Sequence, residues 1–219
     1  MPIPFLAGLA LLGALWLGPL PGLASHSFTA HMVMHLGVLA VASPMLALGL
    51  PRLAAALARR SSPVTALAAS AAEFIVVWAW HAPAAHTVAR NSSAGLIAEQ
   101  GSFLAVGLLL WASVLGPPGQ NRESAGAGIL ALLLTSMHMT LLGALIALAP
   151  RDLYHGHHHR AVAGTSDILH RWFDLTPLAD QQLGGAVMLL VAGSVYLVVG
   201  VWRLNVLLTT DPKSASTIS

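Results

Sequence analysis

The sequence predicts an all-α fold, a polytopic transmembrane bundle of about six spanning helices with both termini cytoplasmic. Three observations carry that expectation. The chain is 56% apolar and only 8% charged, where a soluble domain carries about 25% charged residues, so too few charges remain to build a wetted surface. Apolar runs near the roughly 20 residues that cross a bilayer recur along the chain. Between them lie short stretches rich in Pro, Gly, Ser and Arg, which stop helices and face water.

Taken in order, the first span covers residues 3–17. Gly22-Leu23-Ala24 offers small residues at cleavage-like spacing, but Met1-Pro2-Ile3-Pro4 carries no basic side chain, so a retained helix is favoured over a signal peptide. The second span, 29–50, begins with His31-Met32-Val33-Met34-His35 and ends at Pro51-Arg52. After Arg59-Arg60-Ser61-Ser62-Pro63, the third span, 64–81, closes on Trp78-Ala79-Trp80-His81-Ala82-Pro83. The fourth covers 94–115 and stops at Gly116-Pro117-Pro118-Gly119. The fifth, 126–149, carries Met137-His138-Met139 near its middle, and a polar loop with His155-Gly156-His157-His158-His159 follows it. The sixth is 183–208. Residues 1–208 thus form one transmembrane domain, with 209–219 a disordered cytoplasmic tail.

Orientation follows from basic residues, which concentrate on the cytoplasmic side. Arg52, Arg59, Arg60, Arg122, Arg203 and Lys213 fall on one side, against Arg90, Arg151, Arg160 and Arg171 on the other. The short loop with three Arg marks the first side as inside. His26, His31, His35, His81, His86, Glu99, the His155–His159 tract, His170 and Asp180 then gather at the outer face of a cell inner (plasma) membrane, and only His138 sits deeper.

What can do chemistry is limited. The chain has no cysteine, so disulfides, thiolate metal sites and cysteine catalysis are excluded, and it has 11 His and 7 Met against 8 acidic residues. A net charge of +2 with scattered Arg gives no footprint for nucleic acid. No phosphate loop, nucleophile elbow or paired carboxylates stand out, and the chain reads as non-enzymatic.

His31 and His35 are four apart, so both imidazoles lie on one helix face, one turn above the other, and can approach a single ion as paired helical histidines do. With Met32 and Met34 beside them and no acid in the motif, the set suits a soft ion, copper as Cu(I). Interfacial histidines bonded to backbone or water are the plainer alternative. His138 needs a partner inside the bundle. It either completes the His31/His35 site, through tilt or offset of the helices, or forms a second, deeper one. Met137 and Met139 flank it about 100° each way and are equally read as core packing. His81 sits in a tryptophan belt. Asp180 reads first as a helix N-cap, the His155–His159 tract as an accessory metal-capture loop, and Glu73 as a buried acid with no evident partner.

These residues resemble a known family. Pro19-Leu20-Pro21-Gly22-Leu23-Ala24-Ser25-His26-Ser27-Phe28-Thr29-Ala30-His31-Met32-Val33-Met34-His35, followed by Ala42-Ser43-Pro44-Met45-Leu46-Ala47-Leu48-Gly49-Leu50-Pro51, is similar to the signature of the membrane-embedded CtaG family of cytochrome c oxidase assembly factors. Trp80-His81-Ala82-Pro83, Met137-His138-Met139-Thr140-Leu141-Leu142-Gly143 and Pro177-Leu178-Ala179-Asp180-Gln181-Gln182-Leu183-Gly184-Gly185 resemble three further segments, in order. The resemblance implies a factor that binds copper at the outer face and helps deliver it to a caa-type haem–copper oxidase. Its partners would be oxidase subunits, membrane lipid and a copper donor protein, with homo-oligomerisation left open. It marks His31, Met32, His35, His81, His138, Met139, Asp180 and Gln181. Among these, His31 and His35 are expected as primary metal ligands, with His138, His81, Met32, Met139 and Asp180 as completing or supporting ones. Met34 stands where the family more often has Gln, the His155–His159 tract is richer than expected, and the family commonly has seven spans. Two other classes stay open on the residues alone. One is a haem-binding electron-transfer protein with His35 and His138 as axial ligands. The other is a small ion or metal transporter using His138.

Overall fold

The computed structural model describes residues 3–50, 63–115, 122–154 and 175–209. Those residues are almost wholly helical, with no strand among them. The elements are α1 (Ile3–Leu17), α2 (Leu20–Ala24), α3 (Phe28–Gly49), α4 (Pro63–His81), α5 (Pro83–Asn91), α6 (Ser93–Val114), α7 (Arg122–Ala147) and α8 (Pro177–Thr209). Five of them, α3, α4, α6, α7 and α8, are long and apolar enough to cross a membrane. The fold class is therefore a helical membrane bundle. Helix α1, at 15 residues, is about 22 Å long, shorter than a hydrocarbon core of about 30 Å. The last helix starts at Pro177 rather than Leu183 and runs through Thr209. The His155–His159 tract, His170 and residues 210–219 lie outside the described residues.

Helix α1 runs antiparallel to α3 because small residues let the two backbones approach. A Cβ placed on Gly8 would stand 2.9 Å from Leu46 Cγ, and one on Gly37 would stand 2.8 Å from Leu15 Cδ1, while Gly49 sits against Phe5. Helices α7 and α8 use the same device. A Cβ on Gly143 would fall 2.6 Å from the Leu189 nitrogen, and one on Gly193 2.6 Å from Thr140 Oγ1. Gly185 presses against the Ala147 backbone, and its neighbour Gly184 receives Phe28 and Met32 of α3. Lipid tails are as apolar as leucine, so such close backbone packing, rather than hydrophobic burial, holds spanning helices together.

Helix α3 is not uniform. Gly37–Ala42 winds as a π-helix, in which the Ser43 N–H reaches back five residues to the Val38 carbonyl. In that register Pro44, which has no N–H, leaves the Leu39 carbonyl without its donor. Trp111 Nε1 on α6 donates to it at 2.9 Å, and Ser43 Oγ donates to Val38 O at 2.8 Å. The widened turn lies directly below His35, and π-bulges recur next to functional positions.

A leucine at Gly185 would drive its side chain into the α7 backbone. Overpacking of this kind costs about 1–3 kcal/mol. Gly185→Leu is expected to lower the melting temperature of the detergent-purified protein, with Gly126→Leu, where a Cβ meets nothing within 4 Å, as the neutral control.

Candidate metal centre

Five chemistry-bearing side chains meet where the start of α3, the end of α4, α5 and the start of α6 come together. Pro83 produces much of this arrangement. It confines Ala82 to extended backbone (φ −63°, ψ 132°), which ends α4 just after His81, and it then serves as a favoured first residue of α5. The bend leaves His81 on one side and His86 on the other. Helix α3 begins at Ser27, whose Oγ accepts the Ala30 N–H at 3.2 Å, and its first turns present His31 and His35. Helix α6 is capped by Ser92, which accepts the Gly95 N–H at 2.9 Å, and supplies Glu99 two turns on.

The imidazoles form a row. His86 and His31 have ring centroids 4.7 Å apart, His31 and His35 5.1 Å, and His35 and His81 5.2 Å. Glu99 Oε1 meets His31 Nε2 at 3.0 Å. One ligand atom each from His31, His86 and Glu99 lies within 4.8 Å of the others. All five are buried, between 1% and 6% exposed, with Phe28 against His86 and Phe103 against His35.

The ring nitrogens are unevenly satisfied. His81 Nδ1 donates to the Val77 carbonyl at 2.7 Å, which leaves the lone pair on Nε2, a buried atom with no hydrogen-bond partner. Both nitrogens of His35 are likewise buried and unpartnered. A buried polar atom left unmade costs about 1–3 kcal/mol. Imidazole nitrogens with one side fixed by a carbonyl and the other open are the usual state of a metal-ligating histidine. The ligand atoms of His31, His86 and Glu99 lie close enough to hold one ion, with His35 and His81 continuing the row beside them and aromatic rings packed against both ends.

Around this lies a polar frame. Asp180 on α8 caps α3: Oδ2 accepts the Phe28 N–H at 2.6 Å, and Oδ1 accepts the Thr29 N–H at 3.1 Å and the Ser27 hydroxyl at 2.9 Å. The Thr29 hydroxyl donates back to the Asp180 carbonyl at 2.9 Å. Arg90 donates to the Ser25 carbonyl. Burial pulls its guanidinium below the ordinary value while the nearby Asp180 acts the other way. Gln181 Oε1 accepts the Leu153 N–H at 2.7 Å, which positions Tyr154. That phenol donates to the His81 carbonyl at 2.9 Å, and its ring stacks on Phe28 and packs on His86. Burial pushes Tyr154 above its usual range, so it remains a neutral donor. Gln100 donates to Glu99 Oε2 at 3.1 Å and accepts Trp16 Nε1 of α1 at 3.4 Å.

Of the residues singled out from sequence, His31, His35 and His81 come together. His138 does not join them: its ring meets Phe74 with centroids 5.3 Å apart, two turns of α4 below His81. Both its nitrogens are buried without partners. Met32 is fully buried and turns toward Gly184 of α8. Met139 is fully buried in the core of α7, whereas Met137 is 68% exposed. Asp180 is occupied in capping. Sequence reasoning placed His86 and Glu99 at the outer face without giving them a role. The available signal was that an acid inside a spanning run is a site hypothesis by default.

Against known proteins, a family model described as cytochrome c oxidase caa3 assembly factor matches residues 2–208. No curated protein and no solved structure matches the chain.

Asp180→Ala removes a charged acceptor from the head of α3, where hydrogen bonds to a charged group contribute roughly 1.5–3 kcal/mol. The variant is expected to melt earlier in detergent. Asp180→Asn, which keeps an acceptor oxygen but no charge, should fall between it and the wild type.

Proposed function

Because the chain belongs to the family of cytochrome c oxidase caa3 assembly factors, we propose that it serves oxidase assembly by holding a copper ion in the histidine row and releasing it toward a haem–copper oxidase. The observation that carries this reading is His35, buried with both ring nitrogens unpartnered between His31 and His81. Such a side chain is expensive to keep unless something binds it. Imidazole suits copper in either oxidation state.

Copper is cargo here, and the residues divide the work of carrying it. His31, His35, His81 and His86 supply nitrogen donors. Glu99 holds His31 in place and offers a hard oxygen that favours a divalent ion. Asp180, Gln181 and Tyr154 position the helices and take no part in ligation. The donors outnumber the four that fill a closed tetrahedral site, so an ion can shift from one subset to another, which suits handover. Met32 and Met139 stay in the core under this reading. His138 is a separate position, deeper in the bundle.

The basic residues support an extracytoplasmic placement of the row. Residues 50–63 and 115–122, which bear Arg52, Arg59, Arg60 and Arg122, connect the helix ends remote from the histidines, and positive residues favour the cytoplasmic face. An oxidase being assembled would then meet the row from outside, with a copper donor protein loading it from the same side. The role is accessory rather than catalytic.

Metal content of the detergent-purified protein, read by mass spectrometry, tests the reading. Outer partners of a metal site alone are worth about 10- to 100-fold in affinity. Loss of two ligands in His31→Ala/His35→Ala is therefore expected to strip copper at least that far, and to lower oxidase activity in membranes while insertion is unchanged. Copper retained at wild-type level would remove the assignment. A finer expectation concerns Glu99→Gln. It should weaken a divalent ion such as Zn(II) or Cu(II) more than Cu(I), because carboxylate oxygen is the harder donor. Competition titrations against chelators of each ion measure the difference.

A further inference from the structure

Glu73 lies near the midpoint of α4, about 12 Å of helix below His81, and it is fully buried. Oε1 accepts the Tyr196 hydroxyl at 2.6 Å. Oε2 is buried and has no hydrogen-bond partner. The donor is held rigidly: the Tyr196 ring stacks on Trp111 with centroids 5.1 Å apart and planes 17° apart, and Trp111 is itself pinned to the Leu39 carbonyl of α3.

The described residues around it are uncharged side chains and one histidine. Helix α8 brings Tyr196. Helix α7 brings Thr135, bonded to Ser70 at 2.9 Å one turn from Glu73, and His138 beyond Phe74. Helix α6 brings Trp111. Among the described residues no cation is paired with Glu73. An ionised carboxylate with one neutral donor inside hydrocarbon costs far more than the same group as an acid, and such groups neutralise instead. A purely structural acid would have both oxygens engaged, as Asp180 does; Glu73 has one engaged and one open.

We propose that Glu73 is an intramembrane proton-binding site, a carboxylic acid that keeps its proton on Oε2 and exchanges it with water. The proton leaves Oε2 to water and returns from it, with no other reactant. Ionisable residues within spanning helices mark proton and ion pathways. Tyr196 is the positioning residue: it donates to Oε1 in both states and so moderates, without abolishing, the cost of the charged form. This site is distinct from the histidine row and does not depend on copper.

Dicyclohexylcarbodiimide, an apolar reagent that attacks protonated carboxyls within membranes, tests the proposal on the full chain in native membranes. Peptide mapping by mass spectrometry is expected to find the adduct on Glu73, with a yield that falls as pH is raised. In Tyr196→Phe the yield should persist to higher pH, because the charged form has lost its donor. Infrared spectra of the purified protein should show the carbonyl band of a protonated acid, lost in Glu73→Gln. A Glu73 that stays unlabelled at every pH overturns the proposal. So does a Glu73→Gln spectrum that loses no acid carbonyl intensity, or labelling that a water-soluble carbodiimide achieves equally well. Mapping on the wild-type chain reads the outcome even where a variant fails to fold.

Discussion

The carboxylate of Asp180 sits against the first turn of α3, and the geometry of the histidine row depends on it. A helix start exposes N–H groups with no partner inside the helix and carries the positive end of the helix dipole. Placing an anion from α8 there satisfies two of those groups and fixes the rotation and height of α3 relative to α8. His31 and His35 follow within two turns, so their position is inherited from that contact. The adjacent Gln181 ties the segment bearing Tyr154 to the same end of α8, and Tyr154 holds the last carbonyl of α4. Two consecutive residues thus register α3, α4 and the 148–154 turn to one another, and the imidazoles from separate helices arrive within ring contact.

The rest of the bundle is built to keep that end from moving. Glycines at 143, 185 and 193 seat α7 directly on α8, and Gly184 admits Phe28 and Met32 of α3 on another side of the same helix. Close backbone packing of this kind is stiff, since a displacement forfeits many small contacts together. The unpaired nitrogens of His35, His81 and His138 work against stability at about 1–3 kcal/mol each. Among the described residues, the costs at His35 and His81 fall in the histidine row, where a ligand would offset them, while His138 bears its own deeper in the bundle.

Much of this was legible in the sequence for physical reasons. The bundle follows from charge depletion and apolar runs, because hydrocarbon admits no alternative to satisfied helices. The shared face of His31 and His35 follows from a spacing of four. The bend at Pro83 follows from a ring that cannot continue α4. Asp180 was readable as a cap, but of the wrong helix: Thr176 serves α8 by accepting the Ala179 N–H, and Asp180 reaches across to α3. Glu99 and His86 were not legible as members of one site, since spacing along a chain says nothing about which helices touch. The π-helical turn was also hidden. Pro44 predicts a lost hydrogen bond, but whether the chain kinks or widens depends on Trp111, which lies on another helix.

The two constellations seen in sequence, the His31/His35 pair and His138, resolve into different depths. His81 tops α4, and Phe74, which His138 packs against, lies two turns lower, roughly 10 Å along the axis. Coordination bonds to nitrogen are about 2.0–2.1 Å long, so an ion held by His35 and His81 is out of reach of His138 in this packing. What joins the levels is α4 itself. Glu73, Val77 and His81 recur at steps of four along one face, and Val77's carbonyl sets the tautomer of His81. The row and Glu73 thus share one helix face while each keeps its own partners, the imidazoles at the end of α4 and Tyr196 at its middle.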